Sequence, residues 1–329
     1  MLGLSRRHHD RYPRIGSGRG RDAGTPADIP KRGWKDILWR VYEEQSADNL
    51  GMVAGGVAYY ALLALFPAIA AVVSIYGLVA DPTTVQAHVE QLAGILPPQA
   101  LDVMRQQAES VASASGGGLT LAAVASLLFA LWSASRGVSS MVTALNIVYD
   151  EGEGRSFVRL ALLSLVLTVA GILFLFFTLG VVVVVPAVLA MVPLGGLEPV
   201  VRLARWPILA VAVMLALAVL YRYAPCRREP QWRWVTWGSA LATALWLLGS
   251  AAFSVYVTNF ASYNETYGSV GAAVILLLWL NLTAYAVLIG AELNAEMEHQ
   301  TARDTTDEPA RPMGRRNAYV ADTVGRRRA

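Results

Sequence analysis

The sequence predicts an all-α polytopic membrane protein, a bundle of six transmembrane helices with both termini in the cytoplasm. Composition is the first observation behind this: 55% of residues are hydrophobic and 16% charged, where a soluble domain carries about 25% charged residues. The second is a series of apolar runs at 51–76, 119–141, 157–185, 205–223, 235–258 and 269–293. Each approaches or exceeds the roughly 20 residues that cross a hydrocarbon core. The third is the placing of the cations. Of 27 basic residues, 10 lie in positions 1–50 and 7 in positions 295–329, and Arg222, Arg227, Arg228 and Arg233 fill the loop around 222–233. Basic segments stay on the cytoplasmic side, so this loop, the 142–156 loop and both tails share that side. The pI near 9.0 therefore points to anionic lipid head groups rather than to nucleic acid.

Residues 1–33 are rich in Arg, Gly, Asp and Pro without apolar period and predict a disordered cytoplasmic tail. Arg6-Arg7 is no export signal, because no apolar segment follows before Gly51. In 34–50, Trp34, Ile37, Leu38, Val41 and Tyr42 have helical spacing, and the segment predicts a helix lying along the interface. The first span repeats small residues at Gly51 and Gly55 and at Ala54 and Ala58, a spacing that lets helix backbones approach. Its Pro67 removes a donor, which predicts a kink with freed carbonyls. Tyr59 and Tyr60 lie too deep for an interfacial belt and either pack or line a cavity.

Residues 77–118 form the largest extracytoplasmic segment. Its two halves, 83–94 and 98–113, predict short amphipathic helices that cap the bundle, gate it or merely connect spans. The second span carries Ser133, Ser135 and Arg136. Apolar sequence then runs from Leu160 to Leu194, about 52 Å of helix at 1.5 Å per residue. Two spans there would put the Arg222–Arg233 loop outside, so one long tilted helix broken at Pro186 is expected. In the sixth span Asn281, Tyr285, Leu288 and Glu292 recur at helical spacing and share a face. Tyr267 belongs to a polar-aromatic cluster at that span's outer mouth. Residues 299–329 predict a second disordered, basic tail.

Five blocks carry a resemblance. They are Ala58-Tyr59-Tyr60 with Phe66-Pro67; Ser135-Arg136-Gly137 followed by Ala144-Leu145-Asn146 and Tyr149; Leu220-Tyr221-Arg222-Tyr223 with Pro225; Tyr267-Gly268-Ser269; and Gly290-Ala291-Glu292-Leu293-Asn294. In these blocks, over about 35–298, the chain resembles the YihY/BrkB family of bacterial inner-membrane proteins. The resemblance implies six helices with both ends inside. It supplies no reaction, and the ribonuclease label the family has carried finds no support in these residues.

A metal-dependent nuclease needs converging His and carboxylates. The four histidines, His8, His9, His88 and His299, have no ligand spacing and fall on both sides of the membrane. A lone Cys226 permits no intramolecular disulfide. No enzyme activity, metal or other cofactor is expected. Candidate path residues are Arg136, Asn281, Glu292, Tyr59, Tyr60, Pro67 and Tyr267. They suit translocation of a solute or a lipid head group, with Arg136 meeting an anion. Arg136 and Glu292 either snorkel separately or lie close together as a gate or a substrate-binding pair. The alternative is a scaffold whose polar groups only fasten helices. Expected partners are membrane lipids, with no nucleic acid; a homo-oligomer is permitted but not specified.

Overall fold

The computed structural model describes residues 18–77, 104–106, 108–109, 121–181, 198–259 and 262–327. Its helices are α1 (Lys31–Ala47), α2 (Leu50–Gly77), α3 (Leu121–Val148), α4 (Phe157–Leu179), α5 (Glu198–Tyr223), α6 (Trp232–Asn259), α7 (Ser262–Glu298) and the single turn α8 (Tyr319–Asp322). Among the described residues, five stretches are long and apolar enough to cross a membrane: Leu50–Tyr76, Phe157–Leu179, Trp206–Tyr223, Trp232–Val257 and Ala273–Glu298. The flanks expose Leu63, Phe66, Phe129, Leu162, Leu215 and Leu248. Apolar surface costs about 25 cal/mol per Å² in water, and hydrocarbon removes that cost. The chain is therefore an integral membrane protein.

Neighbouring helices run in the order α5, α6, α7, α2, α3, α4, and α4 also touches α5. α7 holds the centre, against α6, α2, α3 and α1. Glycine makes its crossing with α6 possible. A Cβ on Gly238 would lie 2.1 Å from the Gly290 carbonyl oxygen, so only bare backbone fits on either side. The Asn294 side chain accepts from the Gly238 N–H at 2.8 Å and donates to the Val235 carbonyl at 3.3 Å. α5 is tied in by Tyr221, whose hydroxyl donates to the Val287 carbonyl at 2.7 Å. In α2 the small residues that pack are Ala54 and Ala58, both fully buried. Gly51 meets open space, so only part of the expected small-residue ridge is used.

α2 continues through Pro67 as one helix. Pro186 and the apolar run after Val181 lie outside the described residues, as does most of 77–118. Of the expected 98–113 helix, residues 104–106 and 108–109 are helical, and Met104 and Ala108 pack against Val73.

The N- and C-terminal segments meet at one end of the bundle, here called basal. α1 closes with Asn49 at φ 53° and α3 with Asp150 at φ 55°, the left-handed cap that Asn and Asp tolerate. After α3 the Glu151 N–H reaches the Asn146 carbonyl and the Asp150 N–H the Ile147 carbonyl, which satisfies the last helical carbonyls. α1 is less exposed than an interfacial helix would be, since Asp36, Ile37 and Arg40 are buried. The expectation of disordered tails is corrected for 18–30 and 299–327. His299, Gln300, Thr301, Thr305, Arg316 and Val320 are buried, because the segment's acidic residues pair with arginines of the bundle.

Candidate functional site

Arg136 lies on α3 twelve residues before Val148, about 18 Å from the basal end of that helix. Gly137 beside it presses on α2, where an added Cβ would come 2.9 Å from Ala64 and 3.4 Å from the Tyr60 carbonyl oxygen. Arg136 is exposed, with its guanidinium 4.9 Å from the centre of the Trp132 ring, a cation–π distance. Among the described residues it has no ion-pair partner. The serines nearby are satisfied within their own helix: Ser135 donates to the Trp132 carbonyl at 2.7 Å and Ser140 to the Gly137 carbonyl at 2.6 Å. Tyr59 and Tyr60 are 53% and 49% exposed, with ring centres 5.4 Å apart. They do not pack inside the bundle. At this level the described part of the α2–α3 flank exposes Trp132, Tyr59 and Tyr60 as well as Arg136.

Asn281 faces α2, with its amide nitrogen 3.4 Å from where a Gly55 Cβ would sit. Tyr285, one turn on, donates its hydroxyl to Gln45 just before the end of α1. Tyr267 lies in α7, and its side chain is outside the described residues.

Glu292 is at the basal end, 2% exposed. Its Oε2 is buried with no hydrogen-bond partner among the described residues. The charges acting on it are those of Glu296, Asp48, Glu44 and Asp150. Arg136 is not among them, and the expected Arg136–Glu292 pair is corrected. α3 runs to Val148 rather than stopping near 141, so Arg136 stands well up the bundle while Glu292 lies beside Asp150, past the end of that helix.

The basal end is instead an ionic cap that the sequence reading missed. Arg40 is held by Glu296, by Gln300 Oε1 at 2.9 Å and by the Arg326 carbonyl at 2.8 Å. Arg227 meets Glu298 at 2.6 Å with neither side chain exposed, and sits over the Tyr149 ring at 4.9 Å. Arg222 binds Asp307 and the Pro230 carbonyl. Arg21 donates to the Gly325 carbonyl at 2.7 Å and the His299 carbonyl at 3.2 Å. Burial, with Arg40 and Arg327 nearby, lowers the Arg21 guanidinium to about 10. Asn146 joins two loops, donating to Glu153 at 3.0 Å and accepting from the Cys226 N–H at 2.7 Å. Arg155 grips Glu153 at 2.8 and 2.7 Å and pulls its carboxyl down to about 2. Glu151 moves the other way: burial lifts it to about 7 although the Tyr319 N–H donates to it at 2.7 Å. The sequence signal for this cap was available. Asp304, Asp307 and Asp322 interleave with Arg303, Arg311 and Arg316, unlike a uniformly basic tail.

Among the described residues no three His, Cys, Asp or Glu side chains converge as metal ligands would. Residues 41–314 match the family described as virulence factor BrkB. The ribonuclease-like protein YfkH of Bacillus subtilis is 32% identical over 248 residues, which cover 72% of this chain and 86% of that protein. A UPF0761 membrane protein of Alteromonas mediterranea is 30% identical over 273 residues, 80% of this chain and 88% of its own. Another, of Cronobacter sakazakii, is 27% identical over 295 residues, 85% and 94%. No solved structure matches.

Proposed function

The chain belongs to the virulence factor BrkB family, and from that premise we propose a six-span translocator of the bacterial inner membrane, acting on an amphiphile with an anionic head group. The meeting of the tails supports an even number of crossings, since Arg21 near one terminus bonds His299 and Gly325 near the other. Five stretches qualify as spans by length and composition; α3, packed along α2, makes the sixth. The wealth of basic residues at the basal end supports a cytoplasmic position for it.

The observation that carries the translocation reading is Arg136. A cation at a helix centre costs about 2.5–3.5 kcal/mol on insertion scales, and among the described residues no carboxylate offsets it. A scaffold has no use for it, because the polar groups that fasten helices, Tyr221 and Asn294, are engaged elsewhere. A guanidinium with no ion-pair partner among the described residues, amid exposed aromatic side chains, suits a phosphate or carboxylate head group whose tails stay in lipid. The ribonuclease-like wording of one relative's name is not carried over, as the described residues bring no metal-ligand set together.

Cysteine accessibility tests this reading. In a Cys226→Ser background, Arg136→Cys should react with a charged, water-borne thiosulfonate as a wetted thiol does, and short-chain phosphatidylglycerol should slow the reaction. A thiol that the reagent cannot reach would place position 136 in lipid and favour the scaffold.

A further inference from the structure

Glu292 is the one buried acid of α7's basal turns whose surroundings supply no countercharge. Glu296, one turn along the same helix, has Arg40, and Glu298 has Arg227. Both are buried as ions with matched partners, as buried ions must be. Glu292 has a carboxyl oxygen sealed from solvent and bonded to nothing among the described residues. The charges that weigh most on it are all acidic. Its own helix brings Glu296, α1 brings Glu44 and Asp48, and the loop after α3 brings Asp150. The Tyr149 phenol, itself buried, feels the Glu292 charge. From α2, Leu50, which does not titrate, shares a core cluster with Leu288 and Ala291. The Tyr221 hydroxyl from α5 is bonded to the Val287 carbonyl. The guanidinium of Arg40 is spent on Glu296, Gln300 and the Arg326 carbonyl.

A carboxylate buried without a partner is strongly disfavoured, and four neighbouring acids add to the cost. A metal ion would relieve it, but the described acids do not converge as ligands. A proton relieves it without any change of geometry.

We propose that Glu292 is a proton-binding site at the basal end of the bundle, occupied while α1 and the C-terminal segment are docked. One proton from water binds the carboxylate to give the neutral acid, and the same proton returns to water when the cap parts. The cap that covers the site is made of separable contacts. Tyr285 meets Gln45 of α1, Tyr319 meets Glu151, and Gly325 meets the His299 carbonyl. The site does not depend on the translocation reading, and its test involves no transport.

Infrared difference spectroscopy of the full chain in phosphatidylcholine nanodiscs tests the proposal. Subtracting the Glu292→Gln spectrum should reveal a protonated-carboxyl carbonyl band at neutral pH, which shifts in heavy water and fades as the pH is raised. Glu292→Gln should melt no lower than the parent, because an amide replaces a neutral acid of the same shape. If Glu292→Gln does not fold, Glu292→Asp should move the band rather than abolish it. A difference spectrum at neutral pH that holds only carboxylate bands would overturn the proposal, as would a band that persists unchanged at every pH.

Discussion

Arg227 and Glu298 touch at 2.6 Å with no exposure of either, so removing one leaves the other charged, buried and alone. Such a loss costs about 3–5 kcal/mol. Glu298→Gln should therefore lower the unfolding midpoint sharply in denaturant titrations, whereas Glu292→Gln, where no cation is orphaned, should not. Equal losses from the two substitutions would contradict the difference drawn between these acids. Both residues stand out in the sequence as charges at the end of an apolar helix. Their partners do not, because Arg227 comes from a loop 71 residues away, a distance no helical period spans. Arg136 was equally legible as a charge in a span. Its depth was not, since the end of α3 is set by the left-handed cap at Asp150 rather than by where hydrophobicity stops.

At the scale of elements, the α6–α7 crossing and the C-terminal segment carry separate predictions. Gly238→Ala would put a methyl 2.1 Å from the Gly290 carbonyl oxygen and 2.4 Å from Asn294. Both are backbone or fixed groups, so α6 has to move away. Gly51→Ala meets nothing within 4 Å and should be tolerated. Size-exclusion profiles and melting of the two variants in detergent would separate them; equal behaviour would mean the helices do not meet there. The docking of α8 depends on pH through Glu151. Its carboxyl rises from 4.5 unfolded to about 7 folded, so between those values the folded state binds more protons than the unfolded one, and stability falls as pH increases. The contribution is complete below about 4.5 and is lost as pH climbs through about 7. Hydrogen exchange of 319–325 should speed up across that window, and Glu151→Gln should flatten the response. Exchange that slows with rising pH, after correction for base catalysis, would contradict it. The apolar period announced the long helices. Folding of the C-terminal segment was hidden because its order comes from long-range ion pairs such as Arg222 with Asp307, and its local composition alone reads as unstructured.

For the molecule as a whole, an ionic cap closes the basal end of the bundle, and the exposed Arg136 stands part-way along the α2–α3 flank. Cys226, the one thiol in the chain, lies in the basal loop between α5 and α6. A membrane-impermeant maleimide should leave it unlabelled in intact cells and label it in inverted vesicles; labelling from outside would invert the topology. The central claim is that Arg136 serves passage of an anionic head group. Its most direct measurement uses vesicles containing fluorescent phosphatidylglycerol and the purified chain, with dithionite added outside. The account predicts that wild-type protein exposes inner-leaflet lipid to quenching, that Arg136→Gln falls to the level of empty vesicles and that Arg136→Lys retains part of the activity. Quenching by wild type that matches empty vesicles, or by Arg136→Gln that matches wild type, would contradict it.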